Sequence, residues 1–98
     1  MTSKQRAALR KIAHSMDPVL YIGTNGITDA TIKEAYDVLE KRELIKCAIQ
    51  DGAMLDTYEA CNTLCERVHA KPVQCIGKKF VIYKESNKHK KINLNDYK

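Results

Sequence analysis

The chain has 98 residues, 44% hydrophobic and 30% charged, and a formal net charge of +5. That length makes one domain and leaves no room for a second. No window approaches the ~18 apolar residues of a membrane span, and the charged segment Met1 to Lys11 is unlike a secretory leader, so the cytoplasm is the expected compartment.

Residues 4–16 read as a first helix. Ala8, Leu9, Ile12, Ala13 and Met16 share an apolar arc, with Lys4, Arg6, Arg10, Lys11 and His14 opposite. Asp17-Pro18 ends it, because the residue before a proline is pushed out of helical backbone. Val19–Ile22 is a short continuous apolar run, as expected of a strand buried on both faces. Gly23-Thr24-Asn25-Gly26 follows as a loop. Thr28 or Asp29 then caps a second helix that runs to about Arg42, with Ile32, Ala35, Tyr36 and Leu39 inward. Glu34, Asp37, Glu40 and Glu43, interleaved with Lys33, Lys41 and Arg42, read as its solvated side.

Leu44–Ile49 alternates as a strand, with Ile45, Cys47 and Ile49 on one face and Lys46 and Ala48 on the other. Asp51-Gly52 breaks it. Asp56, with Glu59 three residues on, opens a third helix in a capping-box manner. Its buried arc is Ala60, Cys61, Leu64, Cys65 and Val68. Pro72 stops this helix and begins a strand, Val73–Ile76. Gly77-Lys78 suits a two-residue hairpin turn before the last strand, Lys79–Tyr83. Residues 85–98 are rich in lysine and asparagine, with only Ile92, Leu94 and Tyr97 apolar, and are expected to form a flexible tail. The predicted fold is a single compact α/β domain, residues 1–84, ordered α-β-α-β-α-β-β around a small four-stranded mixed sheet.

The basic charge lies at the two ends of the chain. Residues 1–16 carry Lys4, Arg6, Arg10 and Lys11 and no acid; residues 78–98 carry seven lysines against Glu85 and Asp96; residues 17–77 are net acidic. Ends that converge on one face would offer a polyanion a positive field. Two solvated, lysine-rich termini satisfy the charge pattern equally well.

Cys47, Cys61, Cys65 and Cys75 lack the paired C-x2-C spacing of a structural zinc site. Cys61 and Cys65 share one side of a helix, but all four fall on apolar stripes, which predicts core roles and no metal. His14, His69 and His89 have no evident catalytic partners, and no serine or cysteine sits in a nucleophile context, so no enzyme activity is expected. The loop Gly23–Gly26 is too short for G-x-x-x-x-G-K-[ST] and is not G-x-G-x-x-G, so no nucleotide cofactor or small-molecule substrate is expected. Between a strand and a helix N-terminus, a G-x-x-G loop can bring backbone amides to a phosphate, as in KH domains. A tight turn with no ligand is the other reading of the same four residues.

In this order of elements the sequence resembles the YhbY-like family of stand-alone CRM domains (chloroplast RNA splicing and ribosome maturation). The matching segments are Leu9–His14, Pro18–Gly26 with Ile27-Thr28, Glu43-Leu44-Ile45-Lys46, Val73–Lys78, Val81-Ile82-Tyr83-Lys84 and Lys91–Leu94. The resemblance implies a fold like the C-terminal domain of translation initiation factor three. It also implies RNA binding through Gly23, Thr24, Asn25 and Gly26 and association with ribosomal RNA in a large-subunit precursor; a monomer is expected. Arg6, Arg10 and Lys11 on the first helix, and Lys78, Lys79 and Lys84 on the hairpin, would supply the electrostatics. The middle of the loop is Thr-Asn where many family members place a base, so this loop brings little charge of its own. The contrasting class is a protein–protein adaptor whose basic ends dock on an acidic partner.

Overall fold

In the computed structural model, which describes residues 1–88 and 90–97, four strands form one sheet. They are β1 (Leu20–Ile22), β2 (Leu44–Ile49), β3 (Lys71–Ile76) and β4 (Lys79–Tyr83), in the order β1-β2-β4-β3. β1 runs parallel to β2, and the other two pairings are antiparallel. The readings of His89 as a surface histidine and of Lys98 as part of the tail's charge lie outside the described residues.

The period of two along each strand divides the sheet into unequal faces. Leu20, Ile22, Ile45, Cys47, Ile49, Phe80 and Ile82 build the larger core with Ala35 and Leu39 of α2 (Asp29–Arg42) and Cys61, Leu64 and Val68 of α3 (Thr57–Val68). On the other face, Leu44, Val73, Val81 and Tyr83 meet Leu9 and Ala13 of α1 (Ser3–Ala13). The result is three layers, with one short helix on the second face. Side-chain oxygens begin each helix. Thr2 accepts from the Gln5 N–H, Thr28 from Thr31 and Asp56 from Glu59.

Several expectations change. β1 is buried on one face only. It is an edge strand with no helix over its α1-side face, and Tyr21 is 57% exposed. α1 stops at Ala13 rather than residue 16, and Ile12 faces water. Tyr36 is not inward: its ring lies on the surface under the Lys84 ammonium, 4.1 Å from the centroid. α3 ends before Pro72, at His69, which takes a left-handed conformation (φ 61°). The core roles expected of the cysteines hold: Cys47, Cys61 and Cys65 are core residues, and Cys75 packs against them.

Glu43 is the largest departure. Read as part of a solvated helix side, it is fully buried, at φ 64° just past α2. Its carboxylate accepts N–H groups from Ser86 (2.8 Å), Lys91 and Ile92 (2.7 Å). Glu40 accepts the Ser86 hydroxyl at 2.8 Å. Gln5 Nε2 donates to the Leu94 carbonyl at 2.9 Å, and Ile92 and Leu94 pack beneath α1. The described residues of the segment expected to be a flexible tail, 85–88 and 90–97, therefore form a docked strap with a 3-10 turn at Leu94–Tyr97. Main-chain amides capture the buried acid, and a lysine-rich composition does not reveal them.

Candidate nucleic-acid interface

The strand directions bring three loops to one end of the sheet. β1 and β2 finish there, and the β3–β4 hairpin turns there. The Gln50 N–H donates to the Ile22 carbonyl (2.9 Å) and the Ile49 N–H to the Lys78 carbonyl (2.8 Å). These bonds tie the Gly23–Gly26 loop, the Gln50–Gly52 turn and the Gly77-Lys78 turn into one rim.

Within the loop, the Gly26 N–H donates back to the Gly23 carbonyl at 3.0 Å. Gly26 sits at φ 72°, where a side chain is strained; Gly23 does not, and an added Cβ there would approach only the Gln50 amide oxygen, at 3.1 Å. The two glycines are thus not equivalent. Gly26 makes the turn, and Gly23 leaves room for the neighbouring Gln50. Thr24 and Asn25 are exposed at the tip, and among the described residues their amides donate to no other group of the chain.

The N-terminus of α2 contributes less than the sequence suggests. Thr28 Oγ1 already accepts the Thr31 N–H at 3.2 Å. Asp29 adds an exposed carboxylate in the first turn, 3.9 Å from Arg67. An anion at this rim would meet loop amides more than a bare helix end.

Strand register adds a feature the sequence does not disclose. Tyr21 pairs with Ala48, Ala48 with Lys79 and Lys79 with Ile76. These four side chains form one row across the whole sheet, on the face that α1 covers only in part. Tyr21 and Ile76 are 57% and 64% exposed. A trough of about 450 Å³ covers the Tyr21–Ala48–Lys79 part of the row, lined also by Ile49, Gln50, Asp51 and Lys78. A neighbouring depression of about 260 Å³ is lined by His14, Lys46, Gln74, Ile76 and Lys79.

The expected basic residues divide accordingly. Lys78 and Lys79 stand beside the loop rim. Arg6, Arg10 and His14 recur every four residues, one stripe along α1 toward β3. Arg6 lies over Pro72–Cys75, and His14 reaches the row. Lys11 is exposed, about 100° round the helix from Arg10. Lys84 is not part of this group: it lies about 16 Å along β4 from Lys79, over Tyr36. Tyr21, Lys46 and His14 were missed as site residues. Strand alternation turns Tyr21 and Lys46 to one side and the helical period turns His14 outward, but only the assembled sheet and helix show that they share a face.

The thiols have different chemistry. Burial, with Cys61 nearby, raises the Cys47 thiol, and the same causes push Cys75 up to about 12. Hydrogen bonding to Cys65, then burial, raises Cys61. With their thiols raised, Cys47, Cys61 and Cys75 are poor nucleophiles at neutral pH.

A three-helix, four-stranded α/β domain with a glycine-bracketed loop at the strand ends defines the class of protein. The chain belongs to the CRS1/YhbY (CRM) domain family, whose pattern matches residues 1–84. It is 36% identical over 94 residues to the Probable RNA-binding protein YqeI of Bacillus subtilis, covering 96% of this chain and 98% of that protein. It is 33% identical over 91 residues to an RNA-binding protein of Haemophilus influenzae, covering 92% and 91%. The solution structure of SAV1595 from Staphylococcus aureus superposes with a TM-score of 0.80 at 42% identity, covering 95% of this chain and 97% of that one.

Proposed function

We propose that the protein is an RNA-binding module, not an enzyme, that grips the RNA backbone through the Gly23–Gly26 loop and the basic rim beside it. Its RNA would be ribosomal RNA in a precursor of the large subunit, bound by a monomer in the cytoplasm during ribosome assembly. The observation that carries this reading is the convergence at one end of the sheet. Two loop amides, at Thr24 and Asn25, that have no partner among the described residues share that end with Lys78 and Lys79, while Lys46 and His14 stand on the adjoining face. Amides give geometry and lysines give field, which is how phosphate contacts position a protein without reading bases. The two relatives named as RNA-binding match nearly end to end, which favours this partner over an acidic protein.

The test is the double variant Thr24→Asp/Asn25→Asp, which puts two charges at the tip and leaves both glycines alone. It should melt like the parent and bind a ribosomal RNA fragment about ten- to a hundredfold more weakly, the loss expected for one charge-assisted hydrogen bond. Unchanged affinity would make the loop a plain turn. Recovery of the same partners from nuclease-treated lysate would favour the protein adaptor.

A further inference from the structure

We propose that the row Tyr21–Ala48–Lys79–Ile76 is a stacking platform for an unpaired nucleobase, so that the bound RNA includes a splayed-out nucleotide beside the clamped backbone. This rests on the RNA-binding reading above and adds to it a class of target: unpaired rather than duplex RNA.

The argument begins with the surface. A single exposed aromatic on an edge strand needs no explanation. Here two large apolar side chains at opposite edges of the sheet, Tyr21 and Ile76, lie in register with each other and are both exposed, on the face that α1 covers only in part. Between them stand the smallest possible apolar neighbour, Ala48, and a lysine. Ala48 offers the Tyr21 ring only a methyl group across the β1–β2 pairing, so the trough stays open at that point. Its volume, about 450 Å³, falls in the range of clefts that hold small organic groups.

The charge around the trough selects the occupant. Lys79 stands two strand spacings, about 10 Å, from Tyr21 along the row. Lys78 lies on the rim and Lys46 one row inward. An aromatic platform flanked by cations accepts a base on its π face and the attached phosphates at its border, with little regard to base identity. Asp51 also lines the trough, and its carboxylate repels phosphate. The backbone is therefore directed along the Lys78/Lys79 side, which is continuous with the glycine loop. In a duplex the base faces are already stacked on one another, so a pairing-competent double strand offers Tyr21 nothing to cover.

The experiment uses a ten-nucleotide single-stranded RNA carrying one 2-aminopurine, and the same strand annealed to its complement. The parent protein should bind the single strand more tightly and quench the 2-aminopurine. Tyr21→Ala should weaken single-strand binding about five- to a hundredfold and abolish the quench, with duplex binding unchanged. Tyr21→Phe keeps the ring and should behave like the parent. Since Tyr21 is more than half exposed, both variants should fold, which melting curves check. Equal affinity and equal quench for parent and Tyr21→Ala, or preference of the parent for the duplex, would overturn the platform. If that happens while Thr24→Asp/Asn25→Asp still loses RNA, the backbone clamp stands and only the platform falls. If neither variant affects any RNA binding, both fall.

Discussion

A carboxylate with no exposure persists only where hydrogen bonds replace its water. Among the described residues Glu43 has three main-chain donors, and it holds a φ of 64° that costs a non-glycine residue about 1–2 kcal/mol. Burial alone would raise its pKa. The N–H groups of Ser86, Lys91 and Ile92, with Lys90 nearby, outweigh burial and hold it below the ordinary carboxylate value. The unfolded chain therefore takes up the proton first, at about pH 4.3. Stability from this group is complete above that pH and is lost as pH falls through the lower native value. Glu43→Gln places an amide donor among donors and should cost about 3 kcal/mol at neutral pH. Thermal melts at a series of pH values should show the parent losing stability in acid while the Glu43→Gln curve is flatter. Parallel curves would remove Glu43 from the acid response.

At the level of elements, helices, strands and their order are legible because each carries its own period and its own stop signals. Ala60, Cys61, Leu64, Cys65 and Val68 repeat at helical spacing and are all buried. β1 misleads because three residues carry no information about which strand lies beyond them, so Tyr21 reads as core. Of the candidate site, the loop is written in four consecutive residues, whereas the Tyr21–Ile76 row exists only once four separated strands are in register. The strap is illegible for the same reason: its anchor lies 43 residues before Ser86 and 49 before Ile92. Its removal is thus a stability experiment. A chain ending at Lys84 takes the Ser86, Lys91 and Ile92 donors away from Glu43 and uncovers the side of α1 that Ile92 and Leu94 protect. Its melting temperature should fall well below the parent's, and protease should cut it readily. A truncated chain as stable as the parent would restore the flexible tail.

Across the whole molecule, the basic ends of the sequence do not pool at a single spot. Lys78 and Lys79 meet the loop rim, the Arg6–Arg10–His14 stripe approaches it along α1, and Lys84 faces away with Tyr36. If phosphate contacts dominate binding, log affinity should fall linearly with log salt, by about 0.7 to 0.9 per phosphate neutralised. Lys78→Ala or Lys79→Ala should each reduce that slope by about one contact, and Lys84→Ala should leave it alone. Equal effects from all three lysines would mean that charge acts only as a diffuse field.

The placement of Glu43 also has a consequence during synthesis. The acid leaves the ribosome well before the amides that satisfy it, a gap of 43 to 49 residues, or about 2 to 10 seconds at 5–20 residues per second. Until they emerge only water can satisfy its charge, so burial of Glu43 waits for Ser86, Lys91 and Ile92. A prematurely ended product would present a glycine loop and lysines without a closed core. Such a fragment should be destroyed rather than compete for RNA. Protease digestion of ribosome-stalled chains, arrested once Lys84 or Tyr97 has cleared the exit tunnel, should show protection only for the longer one.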